Sequence, residues 1–202
     1  MNKNELKYIA ESLIETFNVA GQESIDLYVK GLKIEIKSDN SPVSNGDLRC
    51  NELITNKILE LTPNIPIVSE ETVDLKIKNR HKIFWLIDPI DGTKEYIAGK
   101  NEYTLNAALI IDKIPSIGLV GAPKKKQLFY SYGVGESYVI ENKKKIKNDC
   151  SKKTSKDEVV ALASTSHPSE KIISVLKKYN VTSIVKMASS YKFCVIANGE
   201  FD

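Results

Sequence analysis

The chain has 202 residues, 42% of them hydrophobic and 27% charged, with a formal net charge of +3 at pH 7. This is the length and composition of a soluble globular protein with one domain, or two intimate halves, around a real core. No apolar stretch approaches a membrane span, and acidic residues interrupt the N-terminal MNKNELKYIAESLIETF. Neither a spanning helix nor a signal peptide is therefore expected, and the default location is the cytoplasm. Cys50, Cys150 and Cys194 are widely spaced with no CxxC pair, which argues against a zinc or disulfide framework.

Leu6, Ile9, Ala10, Leu13, Ile14 and Phe17 recur at helical spacing and predict one helix that continues past Gly21 to about Tyr28. Leu32 to Ile36 alternates apolar and charged residues and predicts a half-exposed strand, followed by the polar loop KSDNSPVSNGD. Ser44 has the form of an N-cap, with Asp47 three residues on, and Cys50, Leu53, Ile54, Ile58 and Leu61 carry the helix behind it. Gly46 in its first turn is expected to cost stability. Ile65 to Val68 predicts a short buried strand, with Glu70 and Glu71 at its end and a polar loop running to His81.

The most informative stretch follows, IFWLIDPIDGTKEYIAGKNEYT from Ile83 to Thr104. Its first five residues predict a strand buried on both faces, which Pro89 should stop. Asp88 and Asp91 lie across the turn that Pro89 leads, with the Ile90 carbonyl between them. Carboxylate and backbone oxygens in that mixture suit a hard divalent cation such as Mg²⁺. Gly92 permits a close approach of backbone to ligand, and Thr93 offers a hydroxyl. The simpler alternative is a tight Asp-Gly turn. Likewise Glu70 and Glu71 could be a solvated pair, and Asp47 a plain capping partner.

Downstream, Thr104–Ile111, 114–122, 127–131 and 137–140 predict an antiparallel meander. Lys124 to Lys126 and Lys143 to Lys145 fall where turns are expected; no aromatic residues interleave with them, so they read as solvated turns rather than a nucleic-acid surface. Further strands are expected at 159–163 and 181–185, a polar loop at 164–168, and helices at 170–179 and 189–198. The fold expected is α+β: an antiparallel sheet with paired N-terminal helices over residues 1–150, and a smaller C-terminal α/β part over 151–202, packed as one unit. The chain stops just behind a helix, which reads as the middle of a fold.

At WLIDPIDGTKEY and VSEE the sequence resembles the Mg²⁺-dependent, lithium-sensitive phosphatases of the inositol monophosphatase superfamily, which share a layered α-β-α-β fold. KSDNSPVS before Asp47, Lys94-Glu95 after DGT, STSH at Ser164 to His167, and SSYKFC at Ser189 to Cys194 are most similar to its CysQ-type 3'(2'),5'-bisphosphate nucleotidases. The resemblance implies that Glu70, Asp88, Asp91 and the Ile90 carbonyl hold two or more Mg²⁺ ions, with inhibition by Li⁺. It implies that Asp47 and Thr93, with Glu70, activate the attacking water. Gly92 and Thr93 would contact the scissile phosphate, and Ser164, His167 and Lys192 the rest of a nucleotide.

The reaction implied is removal of the 3'-phosphate of adenosine 3',5'-bisphosphate. An inositol or sugar phosphate phosphatase, and a non-catalytic relative that binds nucleotide or metal, are the alternatives. A small-molecule nucleotide is the expected partner, with no nucleic acid; a homodimer and contact with the inner membrane surface stay open. The family has a further Asp after a Trp beyond the point where this sequence stops, so a C-terminally truncated member is expected. Ala188 stands where Gly is frequent.

Overall fold

The structure, a computed structural model, describes residues 1–72, 81–152, 159–164, 175–176, 178–179 and 181–201. The single N-terminal helix expected from periodicity is two, α1 (Lys3–Ser12) and α2 (Ile14–Lys30). Buried Leu13 separates them, its N–H 3.3 Å from the carbonyl of Ala10 three residues back. Such a tightened turn interrupts the α-helical ladder while leaving the apolar stripe in place. Asn2 opens α1 with a capping box: its side chain accepts the N–H groups of Asn4 and Glu5, and Glu5 returns to the Asn2 N–H at 2.7 Å.

Strand β1 (Ile34–Ile36) is exposed along its length and pairs antiparallel with β2 (Pro42–Ser44). β2 corrects the reading of KSDNSPVSNGD as loop; Pro42 is accommodated because the ribbon has only two strands and so consists of edges. Helix α3 (Asn45–Leu61) begins as expected, with Ser44 and Asp47 closing a capping box.

A seven-stranded sheet forms the body. β3 (Ile67–Ser69) runs parallel to β4 (Ile83–Asp91). Then β5 (Thr104–Ile111), β6 (Ile114–Ala122), β7 (Gln127–Ser131), β8 (Ser137–Glu141) and β9 (Lys144–Lys147) follow as the expected antiparallel meander. β9 is a correction, because Lys144 and Lys145 lie on an edge strand rather than in a turn. Lysines on an edge disfavour pairing with other chains. Lys145 also reaches Glu11 at 2.9 Å and lies 4.0 Å from the Tyr138 ring centre, which ties this edge to α1.

Two expectations about β4 are revised. Pro89 does not end the strand. Asp88 pairs with Asn106 and Asp91 with Thr104, so three steps along β4 oppose two along β5. This is a bulge, one of the places where a strand accepts proline and re-aims its side chains. Nor is the strand buried on both faces: Trp85 and Ile87 are enclosed, whereas Leu86 is 48% exposed.

Helices α1 to α3 cover the inner face of the sheet, packing Leu13, Phe17, Cys50, Ile54 and Ile58 with Trp85, Ile87, Leu105 and Leu109. Burial of large apolar side chains contributes about 1.5–3 kcal/mol each. The Trp85 indole N–H donates to the Thr62 hydroxyl at 3.0 Å, so this buried polar atom is satisfied where α3 ends.

On the other face, Tyr191, Cys194 and Val195 of α5 (Tyr191–Ala197) pack against Ala122, Phe129 and Val139. β10 (Val160–Ser164) and β11 (Ser183–Met187) form a separate parallel pair, starting one and two residues later than expected. Most of the expected 170–179 helix lies outside the described residues, as does the 164–168 loop beyond Ser164. Among the described residues no helix is long and apolar enough to cross a membrane.

The short helix α4 (Thr93–Ile97) brings Tyr96 over the first turn of α3, its hydroxyl donating to the Ser24 carbonyl at 2.6 Å. A Cβ on Gly46 would sit 2.5 Å from the Tyr96 hydroxyl. Gly46 is therefore what lets α4 dock, whatever it costs α3. Gly46→Ala should lower stability by about 1–3 kcal/mol despite its better helix propensity. A reduced urea midpoint is the expected reading, and a raised one would remove this role.

Candidate active site

Parallel pairing of β3 with β4 brings two carboxylate-bearing strand ends to the same end of the sheet. Ser69 lies opposite Ile87, and the Glu70 N–H bonds the Ile87 carbonyl at 3.0 Å. Glu70 thus follows its strand beside Asp88. Beyond Asp88 the bulge redirects the chain through Ile90 and Asp91 to Gly92. Gly92 has φ 92°, and a Cβ there would meet the Glu102 carbonyl at 3.3 Å. Both facts favour glycine at this turn.

Fully buried Asp47 joins from α3, and its two oxygens divide the roles that sequence left as alternatives. Oδ2 accepts the Ser44 N–H at 2.9 Å and its hydroxyl at 2.5 Å, which serves the helix cap. Oδ1 accepts the Thr93 hydroxyl at 3.0 Å. That hydroxyl also lies 3.1 Å from the Ile90 carbonyl.

The second wall comes from the C-terminal part. Asp91 Oδ2 accepts the Ser190 N–H at 2.6 Å, and the Ser190 hydroxyl lies 2.8 Å from the Thr104 hydroxyl and donates to Asn106 Oδ1 at 2.6 Å. The Ala188 N–H donates to Glu102 at 2.9 Å. Between these walls is a cleft of 350 Å³, lined by Glu70, Asp91, Gly92 and Thr93 on one side and by Ser164, Ala188, Ser190 and Lys192 on the other; Ser41 and Pro42 of the β1–β2 hairpin reach it too. The Lys192 ammonium donates to the Ser189 carbonyl. His167 lies outside the described residues. A larger cavity, of 660 Å³ beside α2, shares no lining residue with this cleft and contains none of its carboxylates.

Asp88 carries the electrostatic signature of the site. Its Oδ1 is buried without a hydrogen-bond partner. Burial, then the nearby carboxylates of Glu70, Asp91 and Asp47, push its carboxyl up to about 8. Among the described residues no three His, Cys, Asp or Glu side chains are arranged to hold a metal ion as they stand. The residues of the expected ligand set contact other partners: Asp91 accepts from Ser190, the Ile90 carbonyl lies 3.1 Å from the Thr93 hydroxyl, and Glu70 lies 3.7 Å from Lys37. A buried carboxylate oxygen with no donor, beside mutually repelling carboxyl groups, nevertheless has the chemistry of an oxygen site for a hard cation. The residues present fit such an ion.

Lys37, Ser41, Pro42 and Ser190 lie within the KSDNSPVS and SSYKFC motifs, but sequence reading assigned none of them a role of its own. The contact between Lys37 and the Glu70-Glu71 pair depends on the β1–β2 hairpin. The local signal for that hairpin was the short apolar break of Pro42 and Val43 within a polar run.

A profile of the inositol monophosphatase family matches residues 5–202. The 3'(2'),5'-bisphosphate nucleotidase CysQ of Buchnera aphidicola is 31% identical over 201 residues, covering 97% of this chain and 74% of the relative. The crystal structure of CysQ from Bacteroides thetaiotaomicron superposes with a TM-score of 0.77 at 30% identity, covering 96% of this chain and 77% of that one. An IMPase/NADP phosphatase complexed with Mg²⁺ and phosphate shares the fold at a TM-score of 0.72 and 19% identity, over 96% and 71% of the two chains. With a match across almost its whole length, and with strand ends that gather the carboxylates as described, the chain belongs to the inositol monophosphatase family.

Proposed function

We propose that this chain is a Mg²⁺-dependent 3'(2'),5'-bisphosphate nucleotidase that releases the 3'-phosphate of adenosine 3',5'-bisphosphate. The carrying observation is the single cleft in which Glu70, Asp91 and Thr93 face Ser164 and Lys192. Relatives that cover most of the chain and are named 3'(2'),5'-bisphosphate nucleotidases support a bisphosphate of this class as substrate.

Glu70, Asp88, Asp91 and the Ile90 carbonyl would hold the cations. Bound there, a divalent ion supplies charge stabilisation at phosphate oxygens and acidifies water. The remaining work belongs to the chain itself. Thr93 gives its hydroxyl proton to Asp47 Oδ1, which leaves the Thr93 oxygen able to accept a proton from an attacking water in the cleft. Asp47 is held in that pose by its cap bonds to Ser44. Gly92 keeps side-chain bulk away from the scissile phosphate. Ser164 and Lys192 would face the nucleoside and its second phosphate.

Phosphate release measured side by side on adenosine 3',5'-bisphosphate and on inositol 1-phosphate tests the assignment. The expected result is Mg²⁺-dependent, Li⁺-inhibited turnover that favours the nucleotide. Preference for inositol phosphate, or no release from either, would overturn it. Lys192→Ala should raise KM for the bisphosphate about 10- to 100-fold and leave a nucleoside monophosphate substrate nearly unaffected, because a charge-assisted phosphate contact is worth about 1.5–3 kcal/mol. Equal losses on both substrates would remove the second-phosphate role.

A further inference from the structure

Lys37 stands at the tip of the β1–β2 hairpin, where its N–H donates to the Ser41 carbonyl at 2.8 Å and its carbonyl accepts the Asn40 N–H at 3.0 Å. Ser41 and Pro42 line the cleft, so the tip lies against the site. The Lys37 ammonium is 2.9 Å and 2.8 Å from the two oxygens of Glu71 and 3.7 Å from Glu70 Oε1. The Glu71 side chain is only 4% exposed. A carboxylate so enclosed needs a partner, and Lys37 provides it. The bond to Glu70 is different. At 3.7 Å it is attraction without a hydrogen bond, to a side chain that is 52% exposed and faces the cleft.

We propose that Lys37 is a tethered counter-ion that shares Glu70 with the divalent cation, so that the ammonium and the metal each weaken the other's hold. This rests on the cation reading above. Glu70, Asp91 and Asp47 lie close enough to act on Asp88, and Asp47 and Glu70 close enough to act on Glu71. A fixed positive charge among them lowers the potential that an incoming cation feels. Its benefit is order without metal: Glu71 stays paired and the hairpin tip stays placed. Coupling of this kind is reciprocal by thermodynamic necessity.

Mg²⁺ titrated calorimetrically into the full chain tests it. Lys37→Gln should bind Mg²⁺ roughly three- to tenfold more tightly, the range of a partly exposed charge interaction, while Lys37→Arg stays near the parent. Adding Glu71→Gln to Lys37→Gln restores the charge sum and should return affinity to within about twofold of the parent. A purely structural lysine gives the opposite sign, since its loss would disorder Glu71 and weaken binding. Unchanged or weaker binding by Lys37→Gln therefore overturns the proposal.

The unaltered protein offers a readout that needs no variant. Saturating Mg²⁺ should raise the acetylation rate of Lys37, followed by mass spectrometry, at least about twofold; no change or protection overturns the proposal. A parent chain that binds no Mg²⁺ sinks this inference together with the cation reading, whereas normal Mg²⁺ binding with the wrong sign in Lys37→Gln sinks this inference alone.

Discussion

Asp88→Asn should reduce Mg²⁺-dependent phosphate release about a thousandfold or more, and at the same time make the metal-free protein more stable at pH 8. The first effect follows from removing one of the carboxylates proposed to hold the cation, whose charge stabilisation would be worth several kcal/mol in the transition state. The second follows from the position of Asp88. Its carboxyl is raised from 3.8 to about 8 by burial and by Glu70, Asp91 and Asp47.

A carboxyl whose folded pKa lies above its unfolded one stabilises the fold at low pH, and that contribution is lost as pH rises through the folded value. The metal-free parent should therefore lose stability between about pH 4 and pH 8 on account of this group. Asparagine has no proton to lose, so the variant escapes that decline. In chelator, the urea midpoint of Asp88→Asn should exceed the parent's at pH 8, and the gap should close toward pH 4. Added Mg²⁺ should raise the parent's midpoint and leave the variant's unchanged. A variant that is less stable than the parent at pH 8 in chelator would show that Asp88 is not a charge frustrated by its surroundings.

Asp47→Asn is expected to separate proton transfer from cation binding. Turnover should fall about 10²- to 10⁴-fold, the usual contribution of a positioned general base. Mg²⁺ affinity should stay within about threefold, because Asp47 is bonded to Ser44 and Thr93 rather than placed in the ligand set. Stability should fall only modestly, since Asn replaces Asp well in bonds at a helix start. The two variants then differ in kind: one loses metal and rate together, the other loses rate alone. If Asp47→Asn abolished Mg²⁺ binding as well, the division of its two oxygens between cap and Thr93 would not describe its function.

The legible and illegible parts of the site divide along physical lines. Glu70, Asp88 and Asp91 were readable because they stand at or just beyond short apolar runs, and a carboxylate at such a place is local information. Ser44 and Asp47 were readable for the same reason, as a cap spanning three residues. Their meeting was not readable from periodicity. It depends on β3 and β4 running parallel, and on a bulge at Pro89 that local rules predicted as a strand end.

The Ser190 contact with Asp91 joins residues 99 apart, and the Lys37 contact with Glu71 joins residues 34 apart through a two-stranded ribbon in a polar run. No pattern within a helix or a strand carries such pairs. Gly46 was half legible for a related reason: its cost to the helix is local, but the room it leaves is for Tyr96, which arrives from a different element. The break at Leu13 was invisible because a tightened turn leaves the apolar spacing intact.

Diffraction from crystals soaked in Mn²⁺ would locate the cation by the ion's own anomalous signal. An anomalous peak is expected about 2.0–2.3 Å from Asp88 Oδ1, with oxygens of Glu70 and Asp91 and the Ile90 carbonyl completing the shell. A cleft with no peak, or a peak bound without Asp88, would contradict the cation reading.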